Sequence, residues 1–311
     1  MYKDESVQST NDFFLNDNYC PFTETETQES LAAVRPNAYN YTSLSIPFDK
    51  LIIVSDSPPS NYVTTFANSY SQSNSPYRNI VSLHKYGKHV TVMWDPDYRK
   101  FPFTVVIVNP WALGFTADDV YNLVCCLLQN RNKMMLASYT AIVDLIGWKQ
   151  EQISKALYIS RTRQINNLKY KGQTTYFGRR KARSQVTVYD KAEEQNLSGI
   201  VWTRVERRVR IPKKDRPELL HFLTGRFSVE PFKELHIVDI TKLKRNTRIG
   251  KAVHANGIGK AILDRNLSEV ERKKLREFAK KPVNQLVDIE VIFNNIYRCW
   301  VSSTITSTLQ P

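Results

Sequence analysis

Tyr189, Asp190 and Lys191 stand together at the end of one alternating run, and Glu206 follows in the next, within Trp202-Thr-Arg-Val-Glu206-Arg-Arg. A phenol, two carboxylates and an ammonium in one short stretch suit chemistry on a phosphodiester. A tyrosine attacks phosphorus once its proton is removed or its oxyanion is stabilised, and Lys191 is placed to stabilise that charge. A divalent cation, Mg2+ or Mn2+, held by carboxylates would polarise the phosphoryl oxygen. Asp144 and Glu206 are the leading candidate ligands for it, with Asp190 third. Each residue also has a plainer reading: Tyr189 as a packed aromatic, Glu206 as an arginine's ion-pair partner, Asp144 as a cap at a strand end.

These side chains need strands to position them. Two are predicted over 184–190 and 200–210, flanking a polar connection that contains Ser198-Gly199. Strand alternation sets Val186, Val188 and Asp190 on one face and Gln185, Thr187, Tyr189 and Lys191 on the other. On the second strand, Trp202, Arg204, Glu206 and Arg208 share a face, opposite Val201, Thr203, Val205 and Arg207. Tyr189 therefore sits among polar groups. Asp144 interrupts an apolar run over 137–147 that reads as a central strand, where a carboxylate is expensive unless paired, hydrogen-bonded or metal-bound.

Charge points to the partner. The 311 residues carry a net charge of +14, and residues 161–216 alone hold 16 Lys and Arg against 5 Asp and Glu, a net +11. A basic segment this dense faces a polyanion, most often nucleic acid. The predicted DNA contacts are Arg179, Arg180, Lys181 and Arg183 in the basic turn after Gly178, with Arg204, Arg207, Arg208 and Arg210 on the strand beyond. No Walker A lysine motif, GxGxxG or internal repeat is present. The four cysteines form no CxxC pair, which argues against a zinc site or disulfide scaffold and suits a reducing cytosol. The sequence reads as lacking a membrane span or secretory signal.

The remaining elements follow in order. Residues 1–45 are polar and acidic and read as a disordered tail. Strands are expected at 51–54, in a hairpin of 79–84 and 89–94, and at 103–108, stopped by Asn109-Pro110. Thr116 is placed to cap a helix with Asp118 and Asp119 in its first turn. A helix is expected around 148–156, a basic loop or ribbon at 158–171, and a strand at 173–177. After Pro212 the pattern turns helical, at 217–223 and at 268–280, where Ser268-x-x-Glu271 is a capping-box signature. His84 and His89 fall in the hairpin and form no His-x-His pair; His221, His236 and His254 are scattered. The expected fold is α+β: a central antiparallel β-sheet with packed helices over 46–214, and a mainly helical C-terminal region over 215–311.

The run TYFGRRKARSQVTVYDKAEEQ, followed by WTRVERRVR, resembles the R-x-Y-(D/E)-K and W-x-R-x-E elements of rolling-circle replication initiators of the Rep_trans type, known from plasmids and filamentous phages. The upstream TAIVDL is similar to that family's R-(I/L)-D-L-A strand, with Ala141 or Ile142 in place of its arginine. The resemblance covers 137–210. It implies an enzyme that binds an origin, cuts one strand and becomes linked to its 5′ phosphate through Tyr189, with Asp144 and Glu206 at the matching acidic positions. It further implies single-stranded or hairpin DNA at the nick, a host helicase and polymerase as partners, a homodimer, and a cytoplasmic setting in a bacterial or archaeal host. Two other readings stay open: a non-catalytic DNA-binding protein such as a repressor or accessory factor, and an RNA-binding protein whose interleaved aromatic and basic residues take single strands.

Overall fold

A computed structural model describes residues 46–65, 75–83, 86, 89–130, 134–160, 165–169, 173–179 and 182–302. The expected acidic tail, His84, Arg180 and Lys181 lie outside the described residues. The strands are β1 (Phe48–Ser55), β2 (Tyr77–Ser82), β3 (Val90–Pro96), β4 (Thr104–Val108), β5 (Met135–Ile146), β6 (Leu157–Ile159), β7 (Ile165–Lys169), β8 (Gln173–Phe177), β9 (Ser184–Asp190), β10 (Trp202–Arg210), β11 (Leu235–Val238) and β12 (Gln285–Val287). Nine form one antiparallel sheet in the order β2-β3-β4-β1-β5-β10-β9-β8-β7, and β12-β11-β6 form a second, smaller one. The helices are α1 (Asn61–Thr65), α2 (Pro110–Leu113), α3 (Ala117–Leu127), α4 (Gln150–Ala156), α5 (Lys191–Glu194), α6 (Leu219–Leu223), α7 (Arg248–Asn256), α8 (Ile258–Leu263), α9 (Glu269–Lys280) and α10 (Ile289–Ser302). The architecture is the expected α+β arrangement of a large antiparallel sheet with packed helices.

The two-residue period of the strands decides what each sheet face carries. On β5, Tyr139, Ala141, Val143 and Leu145 are buried in the main core, where they meet apolar residues of α3, α4, α6 and α10. Phe48 is fully buried at its centre, its ring 5.7 Å from Tyr139, 5.1 Å from Phe222 and 5.3 Å from Trp300. The alternate β5 residues, Ser138, Thr140, Ile142 and Asp144, take the other face. That second face has only a small apolar cluster, around Val54, Tyr77 and Val105, so polar side chains are tolerated further along it.

Local signals set the element ends. Thr116 and Asp119 close a capping box at α3, with Asp119 N donating to Thr116 Oγ1 at 3.2 Å and Thr116 N to Asp119 Oδ2 at 2.9 Å. Ser268 and Glu271 do the same at α9. The stretch expected as a basic loop or ribbon instead contains β6, because Leu157, Tyr158 and Ile159 are buried against β11, and β7, which pairs with β8. Its high basic content concealed those strands.

All described residues belong to one compact unit. Within it, α7, α8 and α9 surround a second core of Val253, Ile258, Ala261, Leu275 and Ala279. Gly257 alone joins α7 to α8, at φ +84°, and a Cβ there would stand 2.7 Å from Lys155 Cα on α4. Strain and overlap act together at this position. Gly257→Ala is expected to destabilise the protein by about 2–4 kcal/mol in urea melts; an unchanged midpoint would show that α4 yields without cost.

Candidate active site

The second face of β5, β10 and β9 holds the candidate residues in one row. Asp144, Arg204 and Tyr189 are directly opposite one another across the three strands. Glu206 lies two residues further along β10, on the same face and diagonal to Tyr189. Strand order and register therefore bring together Tyr189, Glu206, Arg204 and Asp144.

The proposed nucleophile meets a carboxylate directly: the Tyr189 hydroxyl donates to Glu206 Oε1 at 2.6 Å. Burial, followed by the charge of Asp49, pushes the Glu206 carboxyl up to about 7, against the opposing effects of the Tyr189 hydrogen bond, Arg204 and Lys191. Burial and the neighbouring Glu206 charge also raise the Tyr189 phenol far above its ordinary value, while Arg204 pulls the other way. Such a phenol ionises little on its own. Its proton leaves only towards an acceptor already in contact, and Glu206 is that acceptor.

Arg204 is not an exposed basic residue. It is fully buried, and its Nε and Nη2 donate to the two Asp144 oxygens at 2.7 and 2.8 Å. Burial opposes its charge, but Asp144 more than compensates and holds its basicity above the ordinary value. Trp111, at the second position of α2, lies over the guanidinium with 4.0 Å from Cζ to the ring centroid. Lys191 also differs from expectation. The strand ends at Asp190, whose side chain caps α5 by accepting from Glu193 N at 2.9 Å. Lys191 therefore opens a helical turn. It is buried, pairs with Glu194, and sets its Nζ 4.3 Å from the Trp111 ring and 5.9 Å from the Tyr189 ring.

The expected metal set of Asp144, Glu206 and Asp190 does not fit a divalent cation in this arrangement. Both Asp144 oxygens are engaged by a fixed guanidinium, Asp190 is used as a helix cap, and Glu206 is bonded to Tyr189. Among the described residues, no three His, Cys, Asp or Glu side chains gather as a metal site. His89 sits before β3, with its carbonyl accepting from Asn109 N at 2.9 Å.

The other arginines divide by face. Arg207 lies on the helix-covered side, donating from Nε to Ser184 Oγ at 2.8 Å and from Nη1 to the Pro231 carbonyl; this is a structural role and not the expected DNA contact. Arg208, on the site's face, donates to Gln185 Oε1 at 2.9 Å. Arg179, Arg183 and Arg210 are exposed. Arg183 and Arg210 meet where Arg210 N donates to the Arg183 carbonyl at 2.9 Å. They lie roughly 20 Å from Tyr189 at the usual strand rise. Trp111 and Glu194 were not foreseen. Asn109-Pro110 signalled only the end of a strand, and Glu194 only a polar connection.

No protein-family model and no curated protein matches the chain. Among solved structures, it is similar to a rolling-circle replication initiator protein from Geobacillus stearothermophilus, at 13% identity and a TM-score of 0.43, over 77% of this chain and 98% of that one. A likeness at that distance assigns no chemistry.

Proposed function

We propose that this chain is a replication initiator that nicks one DNA strand through Tyr189. The Tyr189–Glu206 contact of 2.6 Å carries the reading, because it couples a nucleophile to a base with a carboxyl near neutrality. The phenol proton passes to Glu206 as the phenolic oxygen bonds to phosphorus. The bond from phosphorus to the 3′ oxygen breaks, and that oxygen takes a proton from water. The chain is left joined to the 5′ phosphate, and the freed 3′ hydroxyl primes synthesis. The exposed Arg179, Arg183 and Arg210 hold the backbone and fix its register without reading its sequence. The net +11 of residues 161–216 and the motif resemblance support DNA as the substrate. No step is assigned to Mg2+ or Mn2+, because the carboxylates provide no donor set.

The test uses single-stranded and hairpin DNA from the replicon that carries the gene, in buffer with Mg2+ or Mn2+. A nicked product and a protease-sensitive covalent adduct are expected. Tyr189→Phe should reduce the adduct below detection while leaving DNA binding within about twofold; undiminished cleavage would transfer the chemistry to another group.

A non-catalytic DNA-binding role is the second reading. It is favoured by the burial of Tyr189, whose phenol resists ionisation. It requires binding that weakens steeply with salt and no adduct under any of these conditions.

A further inference from the structure

Two buried donors beside Tyr189 have no partner among the described residues: Arg204 Nη1 and Trp202 Nε1. Buried polar groups are paired in the large majority of cases, and leaving one unpaired costs about 1–3 kcal/mol, more where it is charged. Here two such donors occur on one strand, two residues apart and on one face. Arg204 is fully buried, and Asp144 satisfies only its other edge.

Around them is an unusual concentration of cations and indoles. The Arg204 Cζ is 4.0 Å from the Trp111 centroid and 5.7 Å from that of Trp202, and Lys191 Nζ is 4.3 Å from Trp111. The two indole rings are 6.4 Å apart. Cation–π attraction to Trp111 offsets part of the missing hydrogen bonding but supplies no acceptor lone pair. A group that satisfies both donors must bring at least two acceptor oxygens and tolerate a cationic, aromatic-walled corner. A phosphate does both, and guanidinium donors match its oxygens well.

We propose that Trp202 Nε1 and Arg204 Nη1, backed by Lys191, form a subsite for the non-bridging oxygens of a nucleotide phosphate, and that Trp111 covers it until ligand arrives. Trp111 then leaves the guanidinium and stacks on the adjoining base, a contact every base can make. The subsite rests on the proposed nicking function only in identifying that phosphate as the scissile one. It makes Trp202 and Arg204 substrate contacts, and it gives the Asp144 pair a second purpose: holding the guanidinium in place while one nitrogen is kept for ligand.

The five tryptophans make the test direct. The full chain, labelled with nitrogen-15, is titrated with inorganic phosphate and with thymidine 5′-phosphate while the indole N–H signals are followed by NMR. Saturable movement of the Trp202 signal is expected with both ligands, with thymidine 5′-phosphate binding more tightly. Trp111→Ala should erase that advantage. By calorimetry, Trp202→Phe should weaken both ligands on the order of tenfold, the loss expected for one hydrogen bond to a charged group. Arg204→Lys, which keeps a cation beside Asp144, should weaken them at least as much. No saturable movement of the Trp202 signal, or unchanged affinity in both Trp202→Phe and Arg204→Lys, overturns the subsite. Intact phosphate binding in a protein that forms no adduct would overturn the nicking function alone, whereas adduct formation without the Trp202 response would overturn the subsite alone.

Discussion

Glu206→Gln is expected to lower adduct formation by about 10²–10⁴-fold, the range for removing a positioned base, while making the protein more stable above neutral pH. The amide keeps an acceptor for the Tyr189 hydroxyl but cannot take its proton. The stability effect follows from linkage. The Glu206 carboxyl is held at about 7 in the fold against an ordinary 4.5, so the native state keeps a proton that the unfolded chain releases between those values. Native stability therefore falls as pH rises through that window. Above it the loss is complete, at most about 3 kcal/mol. Glutamine has no such loss. Melts of the two proteins should nearly coincide below pH 4.5 and separate progressively towards pH 8, with the variant higher. Wild-type nicking should run the other way, rising through pH 7 as Glu206 becomes able to accept a proton. If the two melting curves stay parallel from pH 4.5 to 8, Glu206 titrates as an ordinary surface carboxylate, and its assignment as the base fails.

The Asp144–Arg204 pair gives the largest expected loss of stability. Asp144→Ala strands a fully buried guanidinium, and breaking a buried pair from one side costs about 3–5 kcal/mol, or roughly 5–8 °C in melting temperature for a chain of this size. The paired change Asp144→Leu with Arg204→Met should recover most of that loss, since apolar replacements of buried ion pairs are often neutral or better. The double variant should also fold yet bind thymidine 5′-phosphate poorly. A single Asp144→Ala variant that melts within a degree or two of wild type would show that the pair contributes little to the fold. Equal phosphate affinity in the double variant and the wild type would remove Arg204 from the subsite.

The alternation of 184–190 and 200–210 was enough to set Tyr189 apart from Val186 and Val188, and Glu206 with Trp202, Arg204 and Arg208, because strand parity is a strict two-residue rule; that Asp144 shares their face follows only from the register of β5 against β10. Capping chemistry was similarly legible: Thr116 and Ser268 begin helices for local reasons that tertiary packing does not change. Sequence did not show which opposite charges would find one another. Arg204 and Arg207 look alike in a run of arginines, yet one pairs with Asp144 and the other faces the helices. Only strand order and register decide that. Trp111 was hidden for a related reason, since nothing near it in sequence indicates that β4 delivers it over β10, three strands away. Lys191 was misplaced by one local event, the capping of α5 by Asp190, which turned the expected strand face into a helical turn.

The connection from β9 to β10 runs through exposed residues 193–199, and it leaves the sheet at the end where Tyr189 and Trp202 sit. Strand register, not this connection, holds Tyr189 against Glu206. Beyond Glu194, which pairs with Lys191, residues 195–199 can change length and sequence without altering the register that sets the contact. The register and the connection therefore answer to separate constraints, and the Tyr189–Glu206 contact is independent of the surface beside it.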